Sequence, residues 1–437
     1  MARRTKKAPK PKASNSTKVV RIKCHTITDL PPELLHMVFT HLRNSGSTGT
    51  KGIKACLMLC RLLRDVAVSY LEFTSPRVHD LGHFLSFMRR HSPLQGTVQR
   101  LSLSDMSLDT SLVRQLTQLF PNMGSLTLED ICCTPPLSHH HPKSDPETLP
   151  VAIPRQLEKL WIKCGRARTD SGSGWSLCGI MHIVSLLAPE ELIVSMSGGV
   201  RFGDKFDPTC LTASPAVRDL RVCLAPWETP KNRKSIANVL DALSRTLAPG
   251  IVQTVTVDYD FKATLRALST LLKRIGGNVT ALDIHGPSPW AWEDRQIWMD
   301  PFDDWRLLDL RACKKLESLE LPPLYVRPRE EQRPLSYVAC GLLANYISPT
   351  LREFKIDVRD FTCPETLEDR EVLNLREFDK VMTQTRFPNL QKFGLTVAVS
   401  RDLEDRSYYV GQCRDAARHV LHRLHSRGVL GISVLWR

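Results

Sequence analysis

The first strong pattern along the chain is a helical stripe. In "ITDLPPELLHMVFTHL", Ile27 to Leu42, the apolar residues Leu34, Leu35, Val38, Phe39 and Leu42 recur at steps of three and four, so they share one broad face of a helix. Asp29 is a candidate cap, and Pro31 and Pro32 suit a first turn, whose N–H groups lack intrahelical partners anyway. After "RNSGSTGTKG", which reads as a loop, "IKACLMLCRLLRDVAVSYLEF" resumes the helical spacing with Ile53, Leu57, Leu62, Leu63, Val66, Tyr70 and Phe73. Three short helices in about fifty residues cannot bury this much apolar surface alone, so part of it is expected to face a partner.

Downstream the dominant period becomes two. Ten segments share the template apolar-x-x-apolar-x-apolar: "VQRLSL" at Val98, "MGSLTL" at Met123, "LEKLWI" at Leu157, "VRDLRV" at Val217, "VQTVTV" at Val252, "VTALDI" at Val279, "LESLEL" at Leu316, "LREFKI" at Leu351, "LQKFGL" at Leu390 and "VLGISV" at Val429. Several are entered through "FPNM", "FPNL", "SPTL" or "SPAV". Between them lie helical patterns such as "SLVRQLTQLF", "SIANVLDALSRTL", "FKATLRALSTLLKRI" and "RDAARHVLHRLHSRG". Short strands alternating with helices predict an α/β fold of repeated βα units on a parallel sheet, with a further, degenerate unit near "EELIVSM" at Glu190. A doubly wound sheet would give the same alternation and stays open as the alternative.

Strand alternation also predicts an exposed sheet face. Early strands place Lys159, Trp161, Lys163 and Arg221 on it, and later ones Asp258, Asp283, Glu320, Glu353 and Asp357, so the face is expected to run from basic to acidic. Trp161, Arg221, Asp283, Glu320 and Lys355 are therefore candidates for contacting a target protein. Two further candidates, Trp290 and Trp292, come from the insertion "HGPSPWAWEDRQIWMDPFDDW", which also carries Trp298 and Trp305; exposed tryptophans often anchor interfaces, although burial against the repeats would explain them too.

"LPPELLHMVFTHL" followed by "CLMLCRLLRDVAVSYLEF" resembles the F-box, the helical module by which substrate receptors join Skp-cullin-F-box (SCF) ubiquitin ligases. The matching features are Leu30-Pro31, Glu33-Leu34-Leu35, Val38-Phe39, Leu42 and the stretch from Leu59 to Ala67; where the family usually has Trp, this chain has Leu63. The resemblance covers about fifty residues and implies that Leu30, Pro31, Leu34, Leu35, Val38, Phe39 and Leu42 form the surface or core that docks the Skp adaptor, and through it a cullin. The downstream repeats resemble a divergent leucine-rich-repeat solenoid, with irregular spacing of about 25 to 40 residues against the usual 20–29. The expected organisation is a basic, disordered tail (1–25), a small all-α F-box module (26–75) and a divergent, irregular leucine-rich-repeat-like solenoid with a parallel sheet (76–437). The implied role is that of a substrate receptor in ubiquitin-dependent protein degradation.

Composition adds limits. Hydrophobic residues make up 42% and charged residues 24%, near the globular average. No apolar run approaches the ~20 residues of a membrane crossing, so no membrane partner is expected and the protein is placed inside the cell, in nucleus, cytoplasm or both. Of the net +14, nine charges lie between Arg3 and Lys23, before any carboxylate, leaving +5 for the rest. Nucleic acid is accordingly not expected as a partner of the folded part; the alternative function is a nuclear scaffold or nucleic-acid-associated repeat protein acting through that tail. Thirteen scattered cysteines suit reduced thiols. Cys132 and Cys133 before His139 to His141 lack the spacing of a zinc site, and neither "SGSGWS" at Ser171 nor "SGGVRFG" at Ser197 matches a nucleophile elbow or dinucleotide loop. No catalytic residue, metal or cofactor is expected, because an SCF receptor leaves the chemistry to other subunits.

Overall fold

The computed structural model describes residues 27, 30–56, 59–70, 76–133, 156–165, 175–197, 200, 202–211, 213–224, 235–259, 262–285, 307–326, 336–361, 363–399 and 406–436. Chain contacts divide it into two compact units, Met1–Glu72 and Phe73–Arg437.

In the first unit, α1 (Pro32–Asn44), α2 (Gly46–Cys56) and α3 (Arg61–Tyr70) close around Leu35, Phe39, Ile53, Leu63 and Ala67, with Leu30, Leu42, Val66 and Tyr70 at the margin. Pro31 occupies the N-cap position of α1 with no side-chain cap bond, and Pro32 fills the first turn; Asp29 lies outside the described residues. The glycine-, serine- and threonine-rich stretch is helical rather than a loop. Its weak propensity is overridden by packing: Gly49 lies where any Cβ would overlap the Leu42 carbonyl, so the bare backbone lets α2 close on α1 and deliver Ile53 to the core. The second predicted helical segment is broken between Cys56 and Arg61, and Leu57 and Phe73 lie outside the described residues.

The second unit is α/β and is dominated by one thirteen-stranded sheet. Its strands are β1 (Arg77–Val78), β2 (Arg100–Ser104), β4 (Ser125–Glu129), β6 (Lys159–Cys164), β7 (Glu191–Met196), β8 (Asp219–Leu224), β9 (Thr254–Asp258), β10 (Ala281–His285), β11 (Ser318–Glu320), β13 (Glu353–Phe361), β14 (Lys392–Val399) and β15 (Leu430–Trp436), paired in that order, with β12 (Leu324–Tyr325) added against β13. A small second sheet pairs β3 (Ser107–Leu108) with β5 (Cys132–Cys133). Each of the ten apolar segments lies on a strand, and "EELIVSM" supplies β7. Every pairing is parallel and the order ascends without reversal, which removes the doubly wound alternative, since that fold needs a switch point.

The helices are α4 (Leu81–Arg90), α5 (Ser92–Gln95), α6 (Thr110–Leu119), α7 (Leu177–Leu187), α8 (Ser235–Thr246), α9 (Lys262–Ile275), α10 (Tyr337–Ala344), α11 (Arg376–Val381), α12 (Arg406–Val420) and α13 (His422–Ser426). Short polar side chains start several of them: Asp80 accepts from the His83 N–H, Asp109 from Leu112 and Ser176 from Gly179. Register stacks the core into rows. Leu126, Leu160, Leu192, Leu220, Val255, Leu282, Leu319, Phe354 and Phe393 form one buried row, and the next runs from Leu128 through Ile162, Val194, Val222 and Val257 to Ile284. The turn before each strand is tied to its predecessor, with the Lys159 N–H donating to the Gly124 carbonyl, Gln253 to Arg218, Thr280 to Gln253 and Arg352 to Glu317. Asn122 and Asn389 add side-chain bonds of 2.7 and 2.6 Å to the Gly96 and Pro349 carbonyls.

Candidate functional site

The α1 stripe divides into two faces. Leu35 and Phe39, 0% and 1% exposed, are spent on the unit's own core, where Phe39 stacks on Tyr70 at 5.7 Å between centroids. Leu34 and Val38 face outward, joined by Met37 at 67% exposure, with Pro31 exposed and Leu30 and Leu42 half-buried. On the rest of the unit Leu59 and Leu62 are 68% and 45% exposed. Of the residues implied for adaptor docking, Leu35 and Phe39 thus support the surface from beneath. Met37, three residues after Leu34, widens the stripe on its outward side and was missed because the stripe was drawn through Leu34, Leu35, Val38, Phe39 and Leu42 alone, and Leu59 and Leu62 because burial within a three-helix unit is not visible in one helix's periodicity. Leu63, in the position where the F-box usually has Trp, is buried in the same core.

On the sheet, Lys159, Trp161 and Lys163 are half-buried and alternate with buried Leu160, Ile162 and Cys164. Parallel register continues the row of Trp161 through Ile193, Arg221, Thr256, Asp283, Glu320 and Lys355 to Gly394. Five candidates, Trp161, Arg221, Asp283, Glu320 and Lys355, therefore share one row, although they are spread over nearly two hundred residues of sequence. Ile193 and Thr256, also in this row, are buried despite facing the open side. Trp161 keeps a buried indole N–H with no hydrogen-bond partner among the described residues, and the Lys163 ammonium lies 4.3 Å above its ring. Trp290 and Trp292 lie outside the described residues, as do Trp298, Trp305 and the basic tail.

The expected change from basic to acidic is only half present. At the early end both lysines are matched, Lys159 bonding Glu191 at 2.8 Å and Lys163 approaching Glu129 at 3.5 Å, and the neighbouring Arg218 pairs with Glu190 and Asp219, while Arg221 is exposed. Glu191, Glu129 and Glu190 each sit beside their cation from an adjacent strand or turn, an arrangement invisible until register is known, whereas Asp219 simply follows Arg218 in the sequence. At the later end Lys392 and Lys355 pair with Glu353, and Arg359 with Asp357, leaving Asp258, Asp283 and Glu320 around His285. His285 stands 3.9 Å from Asp258 through Nδ1 and 3.6 Å from Glu320 through Nε2. Burial pushes Asp258 up to about 6 against the Leu224 N–H it accepts at 2.7 Å, and burial likewise raises Glu320.

Ser104 and Asp105 sit near His79, but both approach the same ring nitrogen, Nδ1, at 2.8 and 4.0 Å, and a relay needs the hydroxyl and the carboxylate on opposite nitrogens. Cys132 is exposed and Cys133 buried on β5, with His139 to His141 outside the described residues; no group of metal-ligating side chains forms among the described residues. Burial pushes the thiols of Cys133 and Cys313 up to about 12, the wrong direction for a nucleophile. Ser176 caps α7, with the Asp204 carboxylate accepting from its hydroxyl and from the Leu177 and Cys178 N–H groups. Among the described residues no helix is long and apolar enough to cross a membrane. No protein-family model matches the sequence, and no curated protein matches it.

Proposed function

We propose that the chain is a substrate receptor of an SCF-type ubiquitin ligase, with its helical unit docking a Skp adaptor and the open sheet face holding a target protein. One observation carries the reading: a helical unit that already has its own core leaves Leu34, Met37, Val38, Leu59 and Leu62 in water. Leu34, Met37 and Val38 lie on one side of α1, at the spacing by which a helix seats itself in an apolar groove. The ascending parallel strand order, with short strands linked through helices, supports the leucine-rich-repeat-like reading of the second unit. On this reading the mechanism is proximity: the receptor raises the local concentration of target lysines at the ligase, and its own residues make or break no bond.

The test is co-purification of the full chain with a Skp adaptor, beside a Leu34→Asp, Val38→Asp double variant. Both positions are exposed, so the variant is expected to fold, while burying unpaired carboxylates at an interface costs on the order of several kcal/mol, enough to abolish a micromolar complex. Binding by the wild type and none by the folded variant supports the reading; equal binding by both, or by neither, overturns it. Leu35→Asp or Phe39→Asp would not serve, because each places a charge in the core of the unit.

A further inference from the structure

The last strand of the sheet, β15, has a neighbour on one side only among the described residues. The Phe393 N–H donates to the Val429 carbonyl at 2.7 Å, and Phe393 is in register with Leu430. In a parallel ladder that geometry turns alternate residues toward β14 and leaves the N–H and C=O groups of Leu430, Ile432, Val434 and Trp436 pointing outward. The side chains are open as well. Phe393, Leu395 and Val397 on β14 are fully buried, yet their register neighbours Leu430, Ile432 and Val434 are only half-buried, and Leu435 is 50% exposed.

Edge strands are usually protected by charge, proline, a bulge or a covering element. The segment "LGISVLW" has no charged residue and no proline, and its pairing with β14 runs through Trp436 without a register shift. The opposite end of the sheet differs: β1 is two residues long and begins with Arg77.

We infer that β15 is a self-association edge, at which two copies of this chain pair their last strands antiparallel across a twofold axis at Ser433. That register alone sets Ile432 opposite Val434 and Leu430 opposite Trp436 of the second copy, so every outward backbone group lies in a pair that exchanges two hydrogen bonds. Ile432 and Val434 of both copies then share the core side and close the open end of each apolar row. On the other side Leu435 falls opposite Gly431, a large residue against a small one, and Ser433 meets its own copy. Because the strand carries no charge, self-pairing meets no repulsion, and because the contact is isologous it closes at two copies. This inference is independent of adaptor docking.

The test is sedimentation of the full chain and its variants at micromolar concentration. The wild type should sediment as a dimer of the 49.4 kDa chain, and Ser433→Ala should do the same. Ser433→Glu and Ser433→Lys each place like charges together at the axis and should be monomers, while an equimolar mixture of the two should recover the dimer. Val434→Pro removes an N–H that makes no bond to β14, so it should be a folded monomer by circular dichroism; should that variant misfold, the charged pair still decides the matter. A monomeric wild type, a dimer untouched by the charged variants, charged variants that fail to recombine, or assemblies beyond two copies would each overturn the inference.

Discussion

At the scale of single residues, burial separates positions that look alike in the sequence. Leu34 and Leu35 are neighbours of the same type, one exposed and one fully enclosed. Leu35→Ala should cost about 2–5 kcal/mol of the first unit's stability, while Leu34→Ala should stay within about 0.5 kcal/mol and, on the proposed receptor reading, act on adaptor binding instead; urea unfolding of both variants checks the stabilities. Asp258 gives a pH dependence with a definite sign. Its carboxyl is raised from an ordinary 3.8 to about 6 by burial, so between those values the folded state holds the extra proton and stability falls as pH rises. Asp258→Asn keeps an acceptor for the Leu224 N–H and removes the buried charge. It should flatten the stability profile between about pH 4 and 6 and raise stability above pH 6, by up to about 3 kcal/mol, in denaturant titrations across that range.

At the scale of elements, legibility followed periodicity. The strands of the second unit could be read because alternation on a half-buried sheet repeats every two residues, and α6, α8 and α9 because each turns one apolar stripe inward. α7 could not be read this way, since all eleven of its residues are buried and "LCGIMHIVSLL" has no polar face. α2 was missed for the opposite reason, being poor in helix formers and held by contact with α1. That contact makes a pair of predictions of opposite sign. Gly49→Ala should destabilise the first unit by about 1–3 kcal/mol, because its Cβ has no space against the Leu42 carbonyl. At Gly52 a Cβ would meet only the Leu42 side chain at 3.6 Å, so Gly52→Ala should stabilise by about 0.5–1 kcal/mol through helix propensity. Thermal melts of the two variants measure both.

At the scale of the whole molecule, the ascending strand order means that each strand of the large sheet gains its support from immediate neighbours. A cavity made in the middle should therefore act locally. Leu282→Ala on β10 should speed amide exchange in β9, β10 and β11 well before β2 or β14; uniform acceleration across the sheet would show a single cooperative unit instead. What the sequence determined by itself was the content of α and β structure, the places of ten strands and the alternation that separates core from open face, since these rest on local periods of 3.6 and 2. Tertiary structure decided the rest. Which half of the α1 stripe is spent on the unit's core depends on α2 and α3, and which charges on the sheet are matched depends on the register of strands about thirty residues apart. That β15 has a neighbour on one side only among the described residues follows from where the strand lies in the order, and strand order is set by packing between distant segments that no local period records.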